Sequence, residues 1–398
     1  MEARLRRIAG TPAGVAHPGY ERFRDWILRS ALPFWADRGV DPAGAGFEEH
    51  LTVAGERDTV AFKRIRVQAR QIYVYSHAAR LGWAPGLEIA RRGYDFLMAS
   101  GRRADGGWPS RLDRRGAVID DTAELYDIAF VLFALAWYAR ASGSAAPIAE
   151  AHRTLDWLDA HMANPHGGYH NSLPRRDEPR EQNPHMHLRE AALALYETSG
   201  EARFLDLARD LVGLFRDHIF DPATGALGEF FADDWRIASG ADGARLEPGH
   251  HYEWVWLLSR FEAAAGEDLS GERRALFNLA QSLGLDPRTG LVLDAIGRDG
   301  EVLKDSFRLW PQAEAIKAQM VMPDERPAEA AERRLEVLFG RFLARSPAGA
   351  WHDHLDAEGR PRSTTMPASS FYHLFMAFAE MAAALDPYPD QPLADRGA

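Results

Sequence analysis

The sequence predicts an all-α fold, an (α/α)6 barrel of six inner and six outer helices with short strands in its long loops. The first observation behind this prediction is a turn phrase that recurs six times along the 398 residues, with successive starts 57 to 65 residues apart. Each phrase has a glycine-containing turn and then an aromatic or aliphatic residue, which is typical of a tight turn that enters a short extended segment. The phrases are DPAGAGF at Asp41, ADGGW at Ala104, NPHGGY at Asn164, DPATGALGEF at Asp221, DPRTGLV at Asp286 and SPAGAW at Ser346.

The second observation is that two kinds of helical pattern alternate between these turns. Segments such as IAFVLFALAWYA are apolar almost all round, which predicts helices buried on most faces, and segments such as RFLDLARDLVGLF carry a one-sided apolar stripe. The predicted inner helices span roughly 64–80, 121–141, 185–199, 250–265, 306–322 and 368–385. The predicted outer helices span roughly 21–32, 86–100, 147–162, 201–218, 270–284 and 326–345.

An open solenoid of helix pairs is the alternative architecture. Tetratricopeptide-like solenoids repeat near 34 residues and join their helices by short turns, whereas this unit is near 60 residues and contains a long loop. A closed ring is therefore favoured, as one catalytic domain over residues 1–385. The last stretch, 386–398, is rich in Pro and Asp and is predicted to be a flexible tail.

Composition excludes several classes of function. A hydrophobic content of 46% and a charged content of 26% are typical of a soluble globular protein, and the first residues lack the apolar core of a signal peptide, which predicts a cytoplasmic location. The sequence contains no run of 18 apolar residues, so no membrane span is predicted. The formal charge of −11 argues against a nucleic-acid or membrane partner. The absence of cysteine excludes disulfides and thiolate sites.

Polar residues collect at the starts of the predicted inner helices, which all begin at the same end of such a ring. Any one of them has a structural explanation: Asp121 can cap its helix, Glu124 can complete a capping box, and Tyr126 can be a core tyrosine. Arg70, inside an apolar helix, is harder to explain because an unpaired buried charge costs several kcal/mol. The helix-start residues are Arg70, Asp121, Glu124, Tyr126, Asn183, His185, His187, Glu190, His250, Glu253, Trp310, Gln312, Glu314 and His373.

Other kinds of catalytic site find little support. HMH at 185–187 and HDH at 352–354 offer histidines two apart, but such residues point away from each other on a helix, and no HExxH is present. We therefore predict no metal. Phosphate-binding loops and serine-nucleophile phrases are absent as well, which predicts no nucleotide cofactor. Few positive side chains are expected near the mouth of the ring, so a phosphorylated substrate is not favoured.

Several helix starts together resemble a known family. PGHHYEW, NPHMHLREA, VQARQIYVY, RLWPQAEA and SSFYH are similar to phrases of the N-acylglucosamine 2-epimerase superfamily, which includes mannose isomerases, aldose–ketose isomerases and cellobiose 2-epimerases on (α/α)6 barrels. The resemblance runs through nearly the whole chain, and PGHxxEW and MHLxEA together are quite specific.

The resemblance implies roles for individual residues. His250 and His373 match the two catalytic histidines of the family, and Glu253 matches a carboxylate that orients the site, which we expect to fix the imidazole of His250. The remaining matches are to substrate-binding groups, among which Tyr126 is less certain and Arg245 is a further sugar contact by position only. The substrate-binding matches are Arg70, Tyr126, Asn183, His187, Arg245, Glu253, Trp310 and Glu314.

The implied reaction is proton transfer beside a sugar carbonyl through a cis-enediol, for which histidine is suited by an ordinary pKa near 6.5. The expected function is interconversion of D-mannose and D-fructose, favoured because cellobiose-acting members tend to show paired tryptophans near the fifth inner helix and this chain has only Trp310 there. The alternative is 2-epimerisation of N-acylglucosamine, mannose or glucose, or cellobiose. An (α/α)6 glycoside hydrolase and a non-catalytic sugar-binding barrel are remoter alternatives. The only expected partner is a monosaccharide substrate, for a monomer or homodimer.

Overall fold

Two concentric rings of helices make up the structure, a computed structural model that describes residues 17–43, 46–323, 326–343 and 347–386. The predicted C-terminal tail lies outside the described residues from position 387 onward. The six inner helices are Ile65–Arg80, Leu125–Ser142, Gln182–Ser199, Pro248–Ala265, Leu309–Val321 and Ser369–Leu385, and we number them 1 to 6 in that order.

The inner ring is closed. Each inner helix packs on the next, and inner helix 6 packs back on inner helix 1. The outer layer also includes two helices that end in a π-helical turn and one that contains such a turn. The outer helices are Pro18–Trp26 with Ile27–Ala31 and Leu32–Arg38, then Gly86–Ser100, Ala146–His161, Ala202–Leu214 with Phe215–Ile219, Ser270–Leu283, and Pro327–Leu338 with Phe339–Leu343. This closed, alternating arrangement confirms the predicted (α/α)6 barrel.

Short antiparallel strands repeat the closure at one end of the ring. The strands that lead into the inner helices are Phe62–Arg64, Ala123–Glu124, Arg180–Glu181, Arg245–Leu246, Phe307–Arg308 and Thr365–Pro367. Their partners, in the same order, are Arg111–Asp113, Ser172–Leu173, Phe230–Phe231, Ala295–Gly297, His354–Leu355 and His50–Thr52. Each partner belongs to the following loop, and the last pair joins the sixth loop to the first. The N-terminal ends of all six inner helices therefore meet at this end.

Further strands lengthen some of these loops. Val118–Asp120 and Val302–Lys304 each add a third strand to a pair, and Phe220–Asp221 pairs with Ala226–Leu227. A one-turn helix, Gly240–Ala244, precedes the strand that leads into inner helix 4.

The start of inner helix 2 differs from the prediction. The helix begins at Leu125 rather than near 121, because Ala123 and Glu124 are paired as a strand with residues 172–173. Asp121 therefore caps no helix; its side chain is mostly exposed and lies 3.4 Å from Arg103. Backbone pairing between loops has replaced the local capping that the sequence suggested.

The core lies between the two rings and inside the inner one. Inner helix 2 is buried along most of its length, as its uniformly apolar sequence predicts. Among the described residues, this helix alone is long and apolar enough to cross a membrane by length and composition, and 72% of its apolar window is buried inside the protein. Burial within the barrel wall accounts for its composition.

Candidate active site

The two predicted catalytic histidines flank a single indole ring. The ring centroid of Trp310 lies 5.0 Å from that of His250 and 5.5 Å from that of His373. The distance between the centroids of the two imidazoles therefore cannot exceed the sum of these two distances. His250 lies in the first turn of inner helix 4 and His373 near the start of inner helix 6, and each residue is 6% exposed. Ring closure thus brings two imidazoles, 123 positions apart in sequence, to one pocket.

Close packing fixes the indole between them. Trp310 lies against the backbone of Gly249, where an added Cβ would come within 2.5 Å of the indole Cη2. On the indole, the guanidinium carbon of Arg308 lies 5.2 Å from the ring centroid. The glycine of the PGHHYEW phrase is therefore needed for close approach of the tryptophan, since any side chain there would displace the ring.

His250 is held by a carboxylate that the sequence analysis did not select. Its Nδ1 lies 2.9 Å from Oε2 of Glu229. Burial by itself lowers the pKa of His250, but the charge and hydrogen bond of Glu229, with the charges of Glu247 and Glu253, outweigh it and raise the pKa to about 9. At neutral pH His250 is therefore protonated, with Nδ1–H donated to Glu229 and the Nε2 proton available to a ligand.

The loop before inner helix 4 positions Glu229. The backbone carbonyl of Glu229 accepts a hydrogen bond from the amide of Gln182, and its Oε2 accepts another from the Gln182 side chain at 3.0 Å. Its Oε1 accepts the amide of Glu247 at 3.2 Å. Glu229 is the next-to-last residue of the fourth turn phrase, DPATGALGEF, but nothing in that phrase distinguishes this glutamate from an ordinary loop residue.

His373 is paired with a carboxylate in a different electrostatic setting. Its Nδ1 lies 2.7 Å from Oε1 of Glu314, whose Oε2 lies 2.7 Å from the ammonium of the fully buried Lys317. Burial, with the positive charges of Arg70 and Lys317, lowers the pKa of His373 well below its ordinary value. This imidazole is therefore neutral, with Nδ1–H donated to Glu314 and the Nε2 lone pair free to accept a proton.

A third imidazole lines the same pocket. Nδ1 of His187 lies 3.0 Å from Oε2 of Glu190, and the hydroxyl of Tyr372 donates to the same carboxylate at 2.6 Å. Burial lowers the pKa of His187 to about 4 against the opposing effect of Glu190, so this ring is neutral as well. Glu190 and Tyr372 thus anchor His187 to inner helix 6.

Glu253 does not orient His250, as the sequence analysis expected. Its Oε1 lies 3.9 Å from Nδ1 of His187, and it lies close to Glu314 and His373. Glu253 lies one helical turn after His250 and therefore on the same face of the helix. The direct contact with the His250 imidazole is nevertheless made by a loop residue, Glu229. Burial, together with the charge of Glu314, raises the pKa of Glu253 well above its ordinary value.

Arg70 lies over aromatic rings on the other side of the pocket. Its guanidinium donates to the hydroxyl of Tyr126 at 2.7 Å and lies 3.9 Å from the ring centroid of Phe130 and 5.1 Å from that of Tyr372. The ring of Tyr126 is 5.2 Å from that of His187. Arg70 and Tyr126, which the sequence analysis selected separately, are therefore one hydrogen-bonded unit of the pocket wall.

Four of the predicted residues keep a buried polar atom that has no hydrogen-bond partner among the described residues. Buried donors and acceptors are seldom left unsatisfied, and a polyhydroxylated ligand can supply their partners. Arg245 is otherwise held by Glu247, at 2.5 Å, on the strand that leads into inner helix 4. The unpartnered atoms are Nε of Arg70, Oδ1 of Asn183, Nε of Arg245 and Oε1 of Glu253.

Arginines near the helix starts are more numerous than the sequence analysis expected, but those described here are neutralised. Each lies within 3.0 Å of a carboxylate oxygen, so none presents an uncompensated charge to a ligand. The pairs are Arg64 with Glu49, Arg66 with Asp127, Arg176 with Glu124, Arg245 with Glu247, and Arg308 with both Glu247 and Asp294.

Potential metal-binding groups also occur in the pocket. His187, Glu190 and Glu253 lie close enough to share an ion, and so do Glu253, Glu314 and His373, with potential ligand atoms within 4.8 Å of one another. His187 and Glu190 are already hydrogen-bonded to each other, as are His373 and Glu314, and the ammonium of Lys317 already compensates the charge of Glu314. We interpret both groups as hydrogen-bonded networks, and the absence of a metal stays a prediction.

The second histidine of the PGHHYEW phrase has a structural position. His251 is fully buried, accepts the amide of Leu227 on Nε2 at 3.0 Å and contacts the carbonyl of Glu247 through Nδ1 at 3.0 Å. Replacing His251 with Ala leaves the buried Leu227 amide without an acceptor, so we expect a loss of about 1–3 kcal/mol in the free energy of unfolding. Urea unfolding measures this loss, while turnover per folded molecule is unchanged. Wild-type stability of the variant would contradict the assignment.

The comparisons with known proteins agree with this geometry. The family model of N-acylglucosamine 2-epimerase (GlcNAc 2-epimerase) matches residues 46–377. The chain is 33% identical over 368 residues to a mannose-6-phosphate isomerase of Rhizobium meliloti, a match that covers 89% of this chain and 95% of that protein. It is 26% identical to a cellobiose 2-epimerase of Ruminococcus albus, over 88% of this chain and 95% of the relative.

The fold is likewise shared with a solved structure. The crystal structure of a D-mannose isomerase superposes with a TM-score of 0.82 at 22% identity, covering 93% of this chain and 99% of that one. The family model covers the first five inner helices and the first half of the sixth, including the pocket residue His373. The protein is therefore an enzyme, a sugar isomerase or epimerase, and it belongs to the N-acylglucosamine 2-epimerase family.

Proposed function

We propose that this enzyme interconverts D-mannose and D-fructose through a cis-enediol, with His373 as the base and His250 as the acid. The observation that carries the proposal is the pair of imidazoles on either side of Trp310, one paired with Glu229 alone and therefore protonated, the other paired with the Glu314–Lys317 ion pair and therefore neutral. The proton affinities of the two rings are pushed apart, as expected where one side chain donates and another accepts.

The chemistry begins with the open-chain aldose. Nε2 of His373 removes the proton from C2 while Nε2–H of His250 protonates the carbonyl oxygen O1, which gives the cis-enediol. His373 then returns its proton to C1, and the hydroxyl proton of O2 goes to His250, which gives the ketose and restores both rings. Arg70, whose guanidinium lies in the pocket wall, stabilises the negative charge that develops on the enediol oxygens.

The unequal rings favour isomerisation over epimerisation. A two-base epimerase ends each turnover with the first imidazole protonated and the second neutral, so the two rings must exchange roles. In this pocket that exchanged state is unfavourable, because Glu229 stabilises a proton on His250 while Lys317 and Arg70 disfavour one on His373. A one-base isomerase returns to its starting protonation state in every cycle.

The second candidate function is 2-epimerisation of a free sugar, N-acylglucosamine or cellobiose. Imidazoles on both sides of Trp310 are the arrangement that delivers a proton to the opposite face of C2, and a relative over most of the chain is named a cellobiose 2-epimerase. A hydrolase is less well supported, because Glu190 and Glu314 are hydrogen-bonded to imidazoles.

Incubation with sugars tests the proposal. Overnight reactions with D-mannose, N-acetylglucosamine and cellobiose are analysed by chromatography. We expect fructose from mannose and no change in the other two sugars. Glucose from mannose without fructose would replace the proposal with the epimerase, and an inverted N-acyl sugar or cellobiose would do the same. Unchanged mannose would reject the proposal.

A free hexose is expected to be a better substrate than its 6-phosphate, although the relative from Rhizobium meliloti is named for the phosphate ester. Five arginines near the helix starts are already paired with carboxylates and Arg70 is held by Tyr126, so a phosphate dianion meets no cluster of uncompensated cations among the described residues. We expect kcat/KM for mannose to exceed that for mannose 6-phosphate by about tenfold or more, a difference of 1.4 kcal/mol or more. Inorganic phosphate added to the mannose reaction is the control and should not inhibit. A higher kcat/KM with the phosphate ester would contradict this expectation.

A further inference from the structure

A buried ammonium lies behind the proposed base, out of reach of any substrate. Lys317 is fully buried, one helical turn after Glu314 on inner helix 5. Its Nζ lies 2.7 Å from Oε2 of Glu314, 3.2 Å from the sulfur of Met376 and 4.0 Å from the ring centroid of Trp256. Among the described residues, Glu314 provides the only carboxylate within ion-pair distance of this ammonium.

Burying a lysine costs several kcal/mol unless the charge is well paired, and an apolar side chain of similar size is often at least as stable in such a place. Packing alone therefore gives no reason for a lysine between a tryptophan and a methionine. The contact with Glu314 does give one, since the other oxygen of the same carboxylate holds Nδ1 of His373.

The two histidine–glutamate pairs of the pocket provide an internal comparison. Oε1 of Glu229 accepts a hydrogen bond from the neutral backbone amide of Glu247. Oε2, which contacts His250, also accepts one from the neutral side-chain amide of Gln182. In Glu314, by contrast, the oxygen that does not contact His373 is paired with the ammonium of Lys317. Glu229 therefore keeps its full charge available to a proton on His250, whereas the charge of Glu314 is already compensated. The two histidine–glutamate pairs contain the same chemical groups, but the second contact of each glutamate gives the two histidines different proton affinities.

We propose that Lys317 is a positioning residue of the catalytic pocket: its ammonium compensates the charge of Glu314 and holds that carboxylate turned toward Nδ1 of His373, and leaves that imidazole neutral and able to accept a proton. Lys317 touches no substrate: it acts through its contact with Glu314, and its positive charge also disfavours a proton on His373. The inference rests on the proposed role of His373 as a base, and it explains why that ring, rather than His250, has this role.

Other charged groups also face His373 and are unchanged by a substitution at Lys317. They come from each inner helix that lines this side of the pocket, and all of them remain in the variants below. They are Arg70 of inner helix 1, His187 and Glu190 of inner helix 3, His250 and Glu253 of inner helix 4, and Glu314 of inner helix 5.

The test compares Lys317→Met, which removes the charge at similar length, with Lys317→Arg, which keeps it. Without the ammonium, the uncompensated Glu314 favours a proton on His373, so the pKa of His373 rises by about one unit or more in Lys317→Met. Nuclear magnetic resonance of protein labelled at histidine follows this titration directly, with the His373 signal assigned by its loss in His373→Ala. Lys317→Arg should titrate like the wild type. An unmoved titration in Lys317→Met would overturn the proposal.

Turnover gives the second readout. The acidic limb of the pH profile of kcat/KM should move to higher pH in Lys317→Met, because more of the base is protonated at each pH, while the activity at high pH is retained. A purely structural role predicts an equal loss at every pH and would contradict the proposal. The magnetic resonance titration needs no substrate, so a shifted His373 in a protein that converts no mannose would reject the proposed function and leave the role of Lys317 intact.

A double variant covers the case in which Lys317→Met does not fold. Glu314→Gln removes the carboxylate through which Lys317 acts, and Glu314→Gln with Lys317→Met replaces the ion pair by neutral side chains of similar size. If Lys317 acts mainly through Glu314, removing the lysine from the Glu314→Gln protein shifts the His373 titration by much less than the one unit expected in the wild-type background. A shift of one unit or more on removing the lysine from the Glu314→Gln protein would contradict the proposal.

Discussion

His373→Ala is expected to abolish the exchange of the C2 proton of mannose with solvent deuterium and to lower kcat by about 10³-fold or more, the upper part of the range for removal of a general base. The reason is geometric: Nδ1 of His373 is fixed by Glu314, which turns Nε2 toward the pocket beside Trp310. Proton magnetic resonance of mannose in D2O measures the exchange, and coupled fructose assays measure kcat.

His218→Ala is the matched control for this variant. It makes the same chemical change at an exposed position of the outer layer, and it should exchange the C2 proton at the wild-type rate. Circular dichroism must show that both variants are folded. Undiminished exchange in folded His373→Ala would reject His373 as the base and transfer that role to another group.

Glu229→Gln is expected to have the second-largest effect, through the pH range of the reaction rather than through its highest rate. The pKa of His250 is about 9 because the charge of Glu229 outweighs the effect of burial, so the wild-type kcat/KM should fall only as the pH rises through about 9. An isosteric amide keeps a hydrogen-bonding side chain but removes the charge. Burial then lowers the pKa of His250, and the alkaline limb of kcat/KM should move down by about two pH units.

The sign of this shift distinguishes an acid from a base at His250. If His250 acts as the acid, Glu229→Gln loses activity at pH 8 and retains more of it at pH 6. Glu336→Gln, the same substitution on an exposed part of the outer layer, should leave the profile unchanged. An alkaline limb that stays in place in Glu229→Gln would show that the charge of Glu229 does not hold the proton that the reaction uses.

The repeat pattern predicted the fold because ring closure depends on features that every unit carries. Six apolar helices that alternate with six one-sided ones have few ways to bury their surfaces, and the turn phrases mark where the loops return. Helix starts were less predictable. Pairing of residues 123–124 with 172–173 is a contact between loops far apart in sequence, and it moved the start of inner helix 2 by four residues.

The pocket was predictable where its residues lie on the inner helices and less so elsewhere. His250, His373, Trp310 and Glu314 could be selected because a helix start fixes which way they face. Glu229 could not, since it lies on a loop and its role depends on how that loop packs against Gln182. The neighbours of the site residues also decide their chemistry.

Lys317 illustrates this point. Lys317 follows Glu314 by three residues, so the sequence predicts that the two are neighbours on a helix. The sequence does not distinguish this lysine from a solvent-exposed one. Only the observed burial, with Trp256 and Met376 beside the ammonium, shows that the charge is directed to Glu314. The difference between the two histidine–glutamate pairs follows from burial and from the second contact of each carboxylate, and neither is written in a local motif.

The most direct measurement of the central claim is the position of deuterium after the enzyme has converted D-mannose in D2O. If His373 is the single base and His250 regains its proton in each cycle, the product is fructose. Solvent deuterium then occupies only one of the two hydrogen positions on C1. Glucose with deuterium at C2, formed without fructose, would show that both imidazoles act as bases on opposite faces and would contradict the account.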